Sequence, residues 1–173
     1  TQGDFVAGFM DALSGKDPAV ATKEIQAAME ALSKKLQAKA SEAAKTNLAK
    51  ANKYLDENKK REGVQTTASG LQYEVIKTGT GAVPTAANTV TVHYEGKLTS
   101  GKVFDSSIKR GEPASFGVGQ VIPGWTEALQ RMKVGDKWRL FIPPNLAYGE
   151  KGAGADIGPN EALIFEVDLL EVK

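Results

Sequence analysis

The stretch Val90-Thr91-Val92-His93-Tyr94-Glu95-Gly96-Lys97-Leu98-Thr99-Ser100-Gly101-Lys102-Val103-Phe104 decides the fold. Val90, Val92 and Tyr94 recur at every second position, which places them on one face of an extended strand and His93 on the other. Thr99-Ser100-Gly101-Lys102 has the composition of a hairpin turn, so Val103-Phe104 is predicted to return antiparallel beside the first strand. The same string, from Gly96 to Val103, stands one residue short of a phosphate-binding loop. Val103 cannot supply the magnesium-binding hydroxyl, however, and a β-type Val-Phe follows where a helix N-terminus would have to begin. The hairpin reading is preferred. Outward from this hairpin the alternation repeats in Leu71, Tyr73 and Val75, in Trp138, Leu140 and Ile142, and in Leu163, Phe165, Val167 and Leu169. Each set predicts a strand with one buried face. The only helical stretch in this half is Gly124 to Met132, which stops before the turn-like Lys133-Val134-Gly135-Asp136. An antiparallel sheet wrapped around one short helix follows, an α+β fold.

Upstream the texture changes. Residues 1–63 hold 4 of the 18 Gly, 1 of the 7 Pro and 3 of the 12 aromatics. Phe5, Phe9 and Leu13 lie four apart and predict a short amphipathic helix over 4–14, stopped by Gly15. After Lys16-Asp17-Pro18, Thr22 is a candidate cap for a second helix whose Ile25, Met29, Leu32 and Leu36 repeat at helical spacing. No Gly or Pro interrupts the pattern until Gly63, so the helix is predicted to run from about 22 to 62. At roughly 1.5 Å per residue it would reach about 60 Å, the length of a projecting stalk. Nine cations between Lys34 and Arg61 face only Glu42, Asp56 and Glu57; a solvated helix face is the plainer reading. The expected organisation is a helical module over 1–63, a linker over 64–70 and a sheet domain over 71–173.

Composition narrows the chemistry. Of the 173 residues none is Cys and one is His, which leaves no disulfide, no thiolate nucleophile, no conventional two-histidine metal site and little room for a histidine relay. The 22 Lys+Arg and 21 Asp+Glu give a formal +1, so no global field favours nucleic acid or an anionic membrane. No apolar run approaches the roughly 18 to 20 residues that span a bilayer, so no membrane insertion is expected. Thr1 at the start reads as a processed or trimmed product whose targeting peptide has gone. His93, opposite the apolar set, reads as a solvent-facing strand residue. Ser106 and Ser107 read as turn hydroxyls, since no activating pair is evident. Gly149-Glu150-Lys151-Gly152-Ala153-Gly154 lacks dinucleotide-loop spacing and reads as a flexible loop beside a site.

The remaining residues are mostly aromatic: Tyr94, Phe104-Asp105, Phe116, Val121-Ile122, Trp125, Tyr148, Ile157 and Phe165. Val90, Val92, Leu140, Leu163 and Val167 need no reading beyond core. A one-sided sheet wrapped on the helix that Trp125 begins would bring its indole against Tyr94, Phe104 and Phe165. Six ordered blocks carry a resemblance: Val92-His93-Tyr94-Glu95-Gly96, Gly101-Lys102-Val103-Phe104-Asp105-Ser106-Ser107, Arg110-Gly111-Glu112-Pro113, Gln120-Val121-Ile122-Pro123-Gly124-Trp125, Leu146-Ala147-Tyr148-Gly149 and Ile164-Phe165-Glu166-Val167. Over about 64–173 the chain resembles FKBP-type peptidyl-prolyl cis/trans isomerases. Its front half resembles the macrophage infectivity potentiator and FkpA-like branch, with that branch's first N-terminal helix absent.

The resemblance implies catalytic roles for Asp105, Tyr148, Phe104 and Phe165, and substrate contacts from Tyr94, Arg110, Phe116, Val121, Ile122, Trp125 and Ile157. The Tyr148 hydroxyl and Ile157 N–H would hold substrate carbonyls, and Asp105 would be paired with the Tyr94 hydroxyl and Arg110. It implies no cofactor and no metal, proline-containing polypeptides as substrates with chaperone-like help in folding, and macrolide inhibitors as ligands. It also implies a homodimer through the N-terminal helices, although the residues leave open whether the stripe from Ile25 to Leu36 is covered by a second copy or by the preceding helix. The branch places the protein in the periplasm or on the outer membrane surface of a Gram-negative cell. Ala114, Gln120 and Ala153 depart from the best-known single-domain members, which bears on macrolide affinity and on the residue preferred before proline. The rival reading is a proline-segment binding or chaperone module with weak catalysis.

Overall fold

The structure, a computed structural model, describes residues 22–173. The helix expected over 4–14 lies outside the described residues. The chain forms two compact units, Thr1–Glu42 and Ala43–Lys173. The first described element, α1 (Thr22–Asn58), belongs to both. Its run of Ala, Lys, Glu, Gln and Leu without Gly or Pro favours a continuous helix. Residues 25–42 are exposed throughout, including the stripe Ile25, Met29, Leu32 and Leu36.

The helix ends four residues short of the expected 62. The last turn tightens, with the Arg61 N–H donating to Asn58 O at 3.0 Å, and Gly63 takes a left-handed φ of 83°. What stops it is the buried Asn58, whose side-chain amide donates to Gln72 Oε1 at 2.8 Å while Arg61 donates to its Oδ1 at 2.8 Å. The stretch expected to be a linker contains β1 (Val64–Thr66), which pairs with β2 (Gln72–Lys77).

Five further strands follow: β3 (Thr89–Leu98), β4 (Val103–Ser106), β5 (Ala114–Gly117), β6 (Lys137–Ile142) and β7 (Leu163–Val172). The sheet order is β1-β2-β6-β7-β3-β4, with β5 also beside β3, and every pairing is antiparallel. The hairpin closes as expected, the Leu98 N–H donating to Lys102 O at 2.9 Å around Gly101 at φ 88°. β3 shares one edge between two partners: Thr89 to Val92 pair with β5, and Glu95 to Lys97 pair with β4. Between those partners the chain leaves the sheet as a one-turn helix, α2 (Ser107–Arg110), which corrects the expectation of a single helical stretch in this half. Ser106 explains it, since its hydroxyl accepts the Lys109 N–H at the start of the turn, as a cap does.

Pro123 opens α3 (Pro123–Leu129), which the concave face of the sheet wraps. Trp125, Ala128, Leu129 and Met132 pack there against Val90, Val92, Leu140, Leu163, Val167 and Leu169. Burying each large aliphatic stabilises this core by about 1.5–3 kcal/mol. On the outer face, Ala51 and Leu55 of α1 cover Phe141 and Ala162, with Tyr54, Val64 and Ile164 alongside. That second cluster explains a departure in β2. Leu71 is buried and Tyr73 half-buried as expected, but Gln72 between them is buried under α1, while Val75 is 38% exposed beside a bulge. A strand covered on both faces does not obey simple alternation.

Candidate active site

Tyr94 shares its strand face with Val90 and Val92, so the register that builds the core also aims its ring inward. Phe165, on β7, pairs across from Gly96 on β3. A Cβ at Gly96 would lie 2.6 Å from Phe165 and 2.7 Å from Phe104, so only a glycine there lets those two rings close. Trp125, in the first turn of α3, meets them edge to face. Its ring centroid lies 5.3 Å from Tyr94, 5.2 Å from Phe165 and 5.7 Å from Phe116, with interplanar angles of 84–87°. Phe104 joins through Phe165, at 5.5 Å and 85°. Such pairs add about 0.5–1.5 kcal/mol each beyond their burial. The Trp125 indole N–H is buried without an acceptor among the described residues, a cost these contacts offset.

The rings surround an open cleft of about 460 Å³. Trp125, Tyr94, Phe104, Phe116 and Phe165 line it, as do Val121, Ile122, Asp105 and Tyr148. Gln120 lines it too. In the sequence reading Gln120 belongs to a block of the resemblance and is marked as a departure but has no site role, although its place directly before Val121-Ile122 is a usable signal. Tyr148 is 41% exposed at the rim, and no other described residue hydrogen-bonds its hydroxyl. Arg110 does not line the cleft and stands behind Asp105. Ile157 is buried, and its N–H already donates to Ala153 O at 3.1 Å, so the group expected to hold a substrate carbonyl is engaged within its own loop. That loop is hydrogen-bonded rather than slack, with a one-turn 3-10 helix at Gly149–Lys151 and a bridge between Ala153 and Ile157.

Asp105 is the one carboxylate among the rings. The Tyr94 hydroxyl donates to its Oδ2 at 2.5 Å, and Arg110 donates to its Oδ1 and, at 3.0 Å, to the Tyr94 oxygen. The Arg110 guanidinium also stands 5.6 Å from the Tyr94 ring centre. Partial burial alone would raise the Asp105 pKa, but the Tyr94 hydroxyl and the Arg110 guanidinium together hold it below the usual carboxylate value. Burial, then the bond to Asp105, pushes the Tyr94 phenol up, so it remains a donor at neutral pH. Ser107 supports this group from behind. It is fully buried, accepts the Tyr94 N–H at 2.8 Å and lies 3.1 Å from His93 Nδ1.

A second hollow, of about 310 Å³, lies on the outer side among His93, Ile108, Lys137, Glu166 and Asp168. It has no Phe, Tyr or Trp in its lining, and Arg139 holds Glu166 at 2.8 Å. No cluster of three or more His, Asp or Glu suited to a metal occurs among the described residues.

A ring-walled cleft on a sheet wrapped about one helix suits a small apolar ring attached to a peptide. Residues 81–170 match the FKBP-type peptidyl-prolyl cis-trans isomerase family, and residues 1–75 match the domain amino-terminal to such isomerases. The chain belongs to the FKBP-type peptidyl-prolyl cis-trans isomerase family, and is an enzyme of that class acting on proline-containing peptides. Among its relatives, the FKBP-type 22 kDa isomerase of Escherichia coli K12 is 53% identical over 167 residues, covering 96% of this chain and 81% of that one. Outer membrane protein MIP of Legionella longbeachae is 46% identical over 170 residues, covering 96% and 73%. The crystal structure of FkpA from Escherichia coli aligns with a TM-score of 0.80 at 42% identity, covering all of this chain and 82% of that one.

Proposed function

We propose that the cleft bounded by Trp125, Phe104, Phe165, Val121 and Ile122 receives the pyrrolidine ring of an Xaa-Pro segment and lowers the barrier to rotation about the bond before it. That barrier is about 18–20 kcal/mol, because the nitrogen lone pair is delocalised into the carbonyl. A planar amide is more dipolar than a twisted one. Moving it from water to an aromatic enclosure therefore disfavours the ground state more than the transition state. Each ~1.4 kcal/mol of that difference gives about tenfold in rate. Neither nucleophile nor proton relay enters this reading.

The observation that carries the reading is the Asp105–Tyr94–Arg110 cluster at the edge of the rings. It keeps an ionised carboxylate oriented beside the place where the amide dipole changes, so Asp105 supplies a fixed field to the twisted bond. Tyr148 orients a substrate carbonyl through its unengaged hydroxyl. Arg110 positions Asp105, and Phe116 closes the far wall. Chaperone-like help in folding follows from a cleft open to the extended prolines of unfolded chains, and the same apolar walls support macrolide binding. The exposed stripe from Ile25 to Leu36 supports pairing of two copies. The named outer-membrane relative, with no membrane-crossing helix among the described residues, supports a periplasmic or outer-surface location.

The test is NMR exchange of a short Xaa-Pro peptide with the parent protein and with Asp105→Leu. Acceleration by the parent and a loss of at least about tenfold in kcat/KM in the variant are expected, with the fold retained. Equal activity in the two proteins removes the electrostatic role. No acceleration by the parent leaves only a binding module.

A further inference from the structure

We infer that Asn47, on the helix that precedes the catalytic sheet, is a positioning residue for Tyr148, acting through the loop that ends at Asn160. The inference rests on the reading of the cleft given above. The Asn47 side-chain amide donates to Pro159 O at 2.9 Å, across 112 positions of sequence. One turn earlier, Ala44 O accepts the side-chain amide of Asn160 at 3.3 Å. Asn160 then donates its own N–H to Gly149 O at 2.8 Å, and Gly149 is the neighbour of Tyr148. Two hydrogen bonds from α1 to Pro159 and Asn160, and one from Asn160 to Gly149, thus reach the chain neighbour of Tyr148, which lines the cleft.

Two independent features show that this contact is built rather than incidental. Asn160 is the only described non-glycine residue with a positive φ, at 54°, and it is 7% exposed. A buried residue in the left-handed region is uncommon even for asparagine and persists where its surroundings impose it. Here both its amide groups are held, one by α1 and one by Gly149. Gly158 supplies the second feature. A Cβ there would stand 3.2 Å from Asn47 Nδ2, so a side chain would crowd the helix residue by a few tenths of an ångström and press on its hydrogen bond to Pro159. The Ala153–Ile157 bridge keeps the intervening loop from absorbing a shift, since Ala153 N and Ile157 N each donate to the other's carbonyl at 2.9 and 3.1 Å.

The full chain is compared with Asn47→Asp, which turns the donor into an acceptor facing a carbonyl, with Gly158→Ala, which leaves the helix sequence untouched, and with Lys50→Ala as an exposed control on the same helix. Peptide isomerisation is read as kcat and KM, and backbone hydrogen exchange is read at Ala153, Ile157 and Asn160. Asn47→Asp and Gly158→Ala are each expected to lower kcat/KM by about fivefold, the share of one hydrogen bond. Exchange in the loop should rise while that in β3 and β7 stays at the parent's rate, and Lys50→Ala should match the parent. Loop exchange at the parent rate in both folded variants overturns the inference, as does kcat/KM within about twofold of the parent. A parent inactive on peptides would sink the reading of the cleft instead, and loop exchange would still decide whether α1 holds the loop.

Discussion

Replacing Gly96 by Ala tests whether the cleft depends on how closely two rings approach one strand. The added methyl would lie 2.6 Å from Phe165 Cε1, 2.7 Å from Phe104 Cζ and 2.8 Å from Phe104 Cε2. Ordinary carbon contacts are about 3.5–4.0 Å, so each ring must withdraw by roughly 1 Å or the strand must bend. Phe165 has little room to do so. It is 5% exposed and held by Trp125 at 5.2 Å and Tyr94 at 6.4 Å, while Phe104 is held mainly by Phe165 and is only half-buried. Phe104 should therefore be the ring that moves, outward into the cleft. Overpacking of this kind costs about 1–3 kcal/mol, which in a protein of this size lowers the unfolding midpoint by roughly 3–10 °C. The expected functional result is a larger loss than the stability cost explains. At a temperature where the variant is fully folded, kcat/KM for an Xaa-Pro peptide should fall about tenfold or more, mostly through KM, because the pyrrolidine loses its space. Near-parental kcat/KM with a lowered midpoint would refute the reasoning, since it would mean that these rings can shift without closing the cleft.

Phe141→Ala removes the ring beneath Tyr54 and Arg61 on the outer face, and is expected to cost about 3–5 kcal/mol in denaturant unfolding while kcat of the folded protein is retained. Acid unfolding should follow the two partly buried carboxylates held below their usual values, Glu166 chiefly by its hydrogen bond from Arg139 and Asp105 by Tyr94 and Arg110. A depressed folded-state pKa contributes stability above the unfolded value of about 4 that is lost as pH falls through the folded value, so unfolding free energy should decline below about pH 5. Arg139→Met should lower stability at pH 7 and converge on the parent at low pH; an equal deficit at both would contradict the assignment. Replacing both Leu32 and Leu36 by Glu is expected to shift sedimentation toward the monomer with unchanged peptide kcat/KM, and an unaltered mass would show that the stripe does not join two copies.

How much was legible in advance differs from element to element. β3 and most of β7 show every second residue buried because one face meets α3 while the other is only partly covered, so their period alone announced them. The cleft residues were legible for a related reason, since aromatic rings at strand and helix starts, in the quoted blocks, have no use on a solvated face. β1 was hidden, because three residues with one partly buried side chain carry no period. Gln72 and Asn58 were equally opaque: polar residues are expected outside, and only their mutual hydrogen bond makes their burial tolerable. The Ile157 N–H was assigned to substrate on resemblance, yet the loop's own bridge engages it.

By itself the sequence determined a long helix without breakers, an antiparallel sheet with one buried face, a short helix carrying Trp125, and the identities of the rings that meet there. Those properties are local or periodic, set by backbone sterics and by side-chain spacing. Only tertiary structure decided that Asn47 and Ala44 reach Pro159 and Asn160, that Ala51 and Leu55 cover Phe141, and that Arg110 stands behind Asp105 rather than in the cleft. Contacts between residues distant along the chain arise when separate hydrophobic faces close on each other, and no spacing along the chain records which polar groups that closure brings within hydrogen-bonding distance.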